Sequence, residues 1–171
     1  MEGKRLIRLG SPADAEALAR VEAACFPPAE AAPLSQFRER LAHYAAHFWL
    51  MEENGRIISF VDGMVTDLPD LTDEMYENAA LHDERGAWQM IFGVNTLPEY
   101  RRRGCAGALI RRAVQDALAQ GRRGLVLTCK EKRIPWYAGF GFRSEGPSSS
   151  VHGGAAWVQM RLRFDRNEGP A

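Results

Sequence analysis

Glu99-Tyr100-Arg101-Arg102-Arg103-Gly104-Cys105-Ala106-Gly107 is the stretch on which the fold turns. The apolar run before it, Trp88 to Val94, reads as a strand. From Ala108 to Leu118 apolar residues recur at helical spacing. Strand, glycine-bearing turn and helix start thus follow one another. The first N–H groups of a helix have no internal partner, and the helix dipole makes that end positive. Small residues let an anion approach the backbone, and the three arginines add charge. The segment suits a phosphate-bearing ligand.

The spacing excludes two familiar phosphate loops. Gly104 and Gly107 enclose only Cys105 and Ala106, so GxGxxG is absent, and so is GxxxxGK[ST]. Neither a dinucleotide fold nor a nucleotide triphosphatase is indicated. What stands is Arg-x-x-Gly-x-Ala, at Arg101, Gly104 and Ala106. Beyond a short buried strand, Gly124 to Cys129, comes Trp136-Tyr137-Ala138-Gly139-Phe140-Gly141-Phe142. Alone, Tyr137 reads as a core aromatic with a hydrogen-bonded hydroxyl, the commoner fate of a buried Tyr. In this order, the two motifs resemble the pyrophosphate loop and the aromatic-Tyr-x-x-x-Gly-Phe signature of the GNAT superfamily of N-acetyltransferases.

Composition fits that class. The chain has 171 residues, of which 46% are hydrophobic and 26% charged, enough for one domain with a substantial core. No apolar run has the length of a membrane span. Met1-Glu2-Gly3-Lys4-Arg5 leads into no apolar secretory segment, so a cytoplasmic location is expected. Cys25, Cys105 and Cys129 are odd in number and widely spaced, which suits reduced thiols and no metal site. Cys105 reads as a small filler residue, not a nucleophile. The zero net charge hides a split. Residues 1–100 carry 8 Lys+Arg against 17 Asp+Glu, and residues 101–171 carry 14 against 5. A polyanionic cofactor on the basic half and a cationic amine on the acidic half would suit it. Nucleic acid is not expected, because the basic residues are not interleaved with exposed aromatics.

The rest of the chain supplies the elements. Lys4 to Leu9 reads as a strand. Ser11-Pro12-Ala13-Asp14 is a helix start, with Ser11 as the cap. That helix runs to about Cys25 with Leu18, Val21 and Cys25 on one face. Prolines break the chain from Phe26 to Pro33. A second helix, Leu34 to Ala45, carries Leu34, Phe37, Leu41 and Tyr44 on one face. His47 to Glu52 and Arg56 to Thr66 read as strands joined at Glu53-Asn54-Gly55, a strong hairpin signal. Asp67 to Gly86 reads as a polar, acidic, partly helical functional loop. Ala156 to Phe164 reads as the last strand. The domain is expected over residues 4–165 and a polar tail over 166–171.

The resemblance implies an α/β (α+β) fold with a central mixed, mostly antiparallel sheet of about seven strands flanked by about four helices. Within the superfamily, Cys25 to Ala32 and Tyr137 to Pro147 resemble the arylalkylamine (serotonin) N-acetyltransferase-like branch. One departure stands out. The two histidines that this branch places before the cofactor loop correspond here to Met90 and Phe92, which accept no proton.

The resemblance also implies roles. Acetyl-coenzyme A is the expected cosubstrate and a small amine the expected acceptor, with a homodimer compatible with either. Val94, Asn95 and Thr96 would offer N–H groups where two parallel strands splay apart. Arg101, Arg102, Arg103, Gly104, Cys105, Ala106 and Gly107 would hold the pyrophosphate. Tyr137 would protonate the leaving thiolate as general acid. The base is open among His82, Glu84, Glu30, His152 or a water chain. Acetylation of a protein N-terminus, a lysine or a polyamine, or a degenerate acyl-coenzyme A binding module, are the alternatives.

Overall fold

The computed structural model describes residues 4–164. The tail at 166–171 and the last residue of the expected domain lie outside the described residues. Among the described residues nine strands form two sheets that meet along one seam, and five α-helices accompany them.

Strand β1 (Arg5–Leu9) is the outer strand of the first sheet, beside β2 (Phe48–Glu53), β3 (Arg56–Asp62) and β6 (Gly93–Thr96). The second sheet runs β4 (Val65–Thr66), β5 (Trp88–Ile91), β7 (Gly124–Cys129), β9 (Val158–Arg163), β8 (Arg143–Pro147). All neighbours are antiparallel except β5 and β7. The β2–β3 hairpin turns at Asn54 and Gly55, whose φ values of 54° and 82° suit a tight turn that matches strand twist.

Two expected strands are each broken in two. Arg56 to Thr66 divides at Gly63, and Trp88 to Val94 divides at Phe92. The backbones at these breaks press together: a Cβ on Gly63 would sit 1.8 Å from the Met90 carbonyl oxygen. The chain therefore changes sheets at both places. With polar β8, which carried no strand pattern, these breaks bring the count to nine instead of about seven.

Helix α1 (Ala15–Cys25) follows a short 3₁₀ turn over Pro12–Asp14. Asp14 reaches back to accept the Ser11 N–H at 2.8 Å, closing the helix start. Helix α2 (Leu34–Tyr44) buries Phe37, Leu41 and Tyr44, the stripe its spacing predicts. Helix α3 (Asp73–Glu77) lies in the acidic loop. Helix α4 (Cys105–Ala119) packs Leu109, Ile110, Ala113 and Ala117 on β2, β3 and β7. Helix α5 (Ile134–Ala138) carries Tyr137. No helix is long and apolar enough to cross a membrane among the described residues.

Candidate active site

The site begins where the parallel pair ends. Trp88–Ile91 run in register with Gly124–Leu127, and there the pairing stops. Beyond it β6 pairs with β3 while Thr128 and Cys129 of β7 pair with β9. A cleft of about 830 Å³ opens between the parted strands. Side chains and N–H groups alternate along a strand. The Leu97 N–H donates to Ile58 O on β3 at 2.9 Å, so the N–H groups of Val94 and Thr96 face the opposite way, toward the opening. Val94 and Thr96 line the cleft. Asn95 does not: it is buried opposite Phe60 of β3, so its expected place at the opening is not where it stands.

The N-terminus of α4 forms one end of the cleft. Gly104 caps the helix with φ 80°, and an added Cβ there would meet nothing within 4 Å, so its role is backbone conformation. The N–H groups that follow have no partner inside the helix. Arg101, Arg102, Gly104, Cys105, Ala106 and Gly107 all line the cleft. Arg103 turns away and lies over the Tyr100 ring at 5.5 Å. Cys105 is 2% exposed, a packed filler as expected. Arg111, Lys132 and Arg133 complete a basic rim. Spacing alone did not reveal these three, because they come from different elements. The cradle fits a pyrophosphate through free N–H groups and cations, without any bulky side chain over Gly104.

Tyr137 lines the cleft from the β7 side, packed edge-on against Trp136 and Phe142. Burial pushes its pKa well above the ordinary tyrosine range, so the hydroxyl stays protonated.

The third wall comes from α1, α2, α3 and the loop before β9. Tyr76 lies between Phe92, at 4.8 Å, and His152, stacked on it at 4.9 Å with the ring planes nearly parallel. Its hydroxyl shares a 3.2 Å hydrogen bond with Thr128. Burial pushes its pKa up to about 12. His152 Nε2 donates to the Glu30 carbonyl at 3.0 Å, and Lys130 pairs with the Glu30 carboxylate at 3.0 Å. Gly153, with φ 63°, permits that approach, since a Cβ there would lie 2.5 Å from Glu30 Cγ. Behind Phe92, Arg40 and Asp62 form a buried ion pair at 3.2 Å. Glu22 reaches the cleft wall beside them.

Of the four residues considered as bases, the fold brings Glu30 and His152 to the cleft and not His82 or Glu84. His82 Nδ1 accepts the Val65 N–H at 3.0 Å, so its Nε2–H donates to Glu84. Arg122 grips Glu84 at 3.0 Å and the carbonyls of Glu84 and Gly86. His47, His82 and Glu84 are close enough to suggest a metal site. The backbone bond to His82 Nδ1 removes the lone pair that a metal would need at Nε2. The cluster instead fastens the acidic loop to the sheet.

A parted parallel pair, a glycine-capped helix aimed at the gap and a buried tyrosine opposite it form a distinctive arrangement. The sequence model of the Acetyltransferase (GNAT) family matches residues 15–142, which include all three. The chain belongs to this family. Serotonin N-acetyltransferase of Mesocricetus auratus is 26% identical over 110 residues, 64% of this chain and 52% of that protein. The chain thus spans about half the length of that relative. The loading GNATL domain of CurA from Lyngbya majuscula superposes with TM-score 0.81 at 16% identity, covering 94% of this chain and 98% of that one. A GNAT family acetyltransferase from Brucella melitensis, solved in complex with acetyl-CoA, gives TM-score 0.62 at 21% identity over 95% and 89% of the two chains. These structures show a shared GNAT fold. In this GNAT domain Met90 is fully buried, and Phe92 lies 5.2 Å from the Arg40 guanidinium.

Proposed function

We propose that this chain transfers the acetyl group of acetyl-coenzyme A directly to a small primary amine. The supporting observation is that one cleft joins the phosphate-suited helix terminus, the free N–H groups of Val94 and Thr96, and Tyr137. Arg101, Arg102 and the N–H groups of Cys105 to Gly107 would hold the pyrophosphate. Val94 and Thr96 would orient the pantetheine arm and polarise the thioester carbonyl. A fixed donor at a developing oxyanion is worth on the order of 3 kcal/mol. Tyr137 would deliver its proton to the departing sulfur. The cysteines speak for direct transfer. Cys105 is buried, and burial raises the pKa of Cys25 and pushes Cys129 up to about 11, so neither of the latter is a ready thiolate nucleophile.

The test pairs calorimetric titration of acetyl-coenzyme A with free-thiol release over a panel of arylalkylamines, polyamines and peptides. Saturable binding with N-acetyl product on one class of amine supports the reading. Tight binding with no product on any amine would instead favour an acyl-coenzyme A binding module. Product on peptides alone would move the acceptor to protein.

A further inference from the structure

Glu22 is a carboxylate for which the reaction above has no task. It sits near the end of α1, is 7% exposed and yet lines the cleft. Its Oε2 accepts the Ala32 N–H at 2.9 Å. Its Oε1 lies beside Gly93, the first residue of the parted strand. A Cβ on Gly93 would fall 3.6 Å from that oxygen and 2.9 Å from both Asp62 Oδ1 and Asn95 Nδ2. Glycine there keeps open the space before the carboxylate.

Arg40 lends Glu22 some positive charge but is engaged elsewhere. Arg40 of α2 bonds Asp62, Gln36 and the Tyr76 carbonyl. Asp62 of β3 adds like charge, and Cys25 and Arg101 lie on the cofactor side. No ion pair to Glu22 exists among the described residues. The Asn95 amide lies toward Glu22 and the Gly93 N–H toward Asp62, contacts that favour the ionised carboxylates but fall short of full hydrogen-bond geometry, and Arg40 Nε close by is buried without a partner among the described residues. Burial, with Asp62 assisting, pushes the Glu22 pKa up to about 7.

We propose that Glu22 receives the amine as its ammonium ion and takes the proton that frees its lone pair. This deepens the acetyl-transfer reading and rests on it. Glu22 Oε1 accepts one proton from R–NH₃⁺, giving R–NH₂. The nitrogen lone pair forms the N–C bond to the acetyl carbon, and the C–S bond breaks with its electron pair going to sulfur. Tyr137 gives that sulfur its proton and regains one from the amide nitrogen through solvent. The proton on Glu22 leaves to solvent. The products are the N-acetyl amine, coenzyme A thiol and one proton.

The rival bases fit less well. The Glu30 carboxylate is neutralised by Lys130. His152 is separated from Phe92 and the strand opening by the Tyr76 ring, and its Nε2–H is engaged on Glu30.

The experiment measures kcat/KM against pH for the wild type, Glu22→Gln, Glu22→Asp and His152→Ala, using an ordinary alkylamine and an aromatic amine that is neutral at assay pH. Gln keeps an acceptor for the Ala32 N–H, and thermal melting with acetyl-coenzyme A affinity checks that the fold and cofactor end survive. Glu22→Gln should lose about 10²–10⁴-fold with the alkylamine, together with the acidic limb near pH 7. It should lose less than about tenfold with the neutral amine, which needs no deprotonation. Glu22→Asp should restore part of the activity and the limb. Wild-type rates and an unmoved limb in Glu22→Gln, or loss of the limb in His152→Ala alone, would overturn the assignment while acetyl transfer stands. If the wild type acetylates no amine at any pH, the acetyl-transfer reading falls and takes this inference with it.

Discussion

At the scale of single residues, two groups carry opposite demands. Tyr137 is buried, and burial raises its pKa, so its hydroxyl is a donor at neutral pH. Its raised pKa also places it further from a thiol than an ordinary tyrosine stands, so in the proposed reaction it would serve the sulfur only as that atom gains charge. Tyr137→Phe should keep melting temperature and cofactor affinity, because the ring still fills its site. Turnover should fall by roughly 10²–10⁴-fold, measured as thiol release. Glu22 is the reverse case, a carboxylate held where ionisation is unfavourable. Its pKa is about 7 folded against 4.5 in the unfolded chain. Such a group favours the folded state at low pH, and that advantage disappears as pH rises from about 4.5 to about 7. Glu22→Gln, a permanent neutral form, should therefore be more stable than the wild type at pH 8, by up to about 3 kcal/mol. The gap should close near pH 4, below the unfolded-chain value. Chemical denaturation at both values checks the sign.

At the scale of elements, glycines decide where strands break and where the cofactor helix begins. Gly63 lets β3 leave the first sheet against Met90. Gly63→Ala should cost at least about 3 kcal/mol in denaturant titration, because the clash is with backbone and cannot be relieved by a rotamer change. Gly104 has space but a left-handed backbone, which costs a non-glycine residue about 1–2 kcal/mol. Gly104→Glu adds an anion at the phosphate cradle, so calorimetry should show cofactor affinity falling more than tenfold while the rest of the fold persists. This scale also shows what could be read from the chain. Helices α1, α2 and α4 declare themselves by apolar stripes and caps, and the cofactor loop and Tyr137 by local spacing. The breaks at Gly63 and Phe92 were hidden because apolar residues, Met64 and Val65 in one run and Val94 in the other, continue past each break. Periodicity records burial, not which sheet does the burying. Arg111, Lys132, Arg133 and Glu22 were hidden for another reason. Each meets the site through packing of elements far apart in sequence, and an acidic residue on an amphipathic helix looks like surface.

At the scale of the whole molecule, the charge split between the two halves of the chain has a different use from the one its totals suggest. Much of it is consumed internally. Arg161 of the basic half bridges Asp70 and Glu145, and Arg122 holds Glu84. The acidic loop is thereby fastened down, with Tyr76 left as its contribution to the cleft wall. The cations that remain toward the cleft are those around α4 and α5. The parting of β6 from β7 has a mechanical consequence. Below the seam the two sheets are laced together; above it they stand apart like the jaws of a split log, linked through Glu30 to Lys130 and His152. A guest lodged in the split acts as a wedge glued on both faces, and its binding free energy becomes cohesion between the halves. Acetyl-coenzyme A at a hundred times its dissociation constant should add about 2.7 kcal/mol to unfolding, by mass action. Calorimetric scans should show that gain as a later melt, and an unmoved melt would show that nothing lodges in the split.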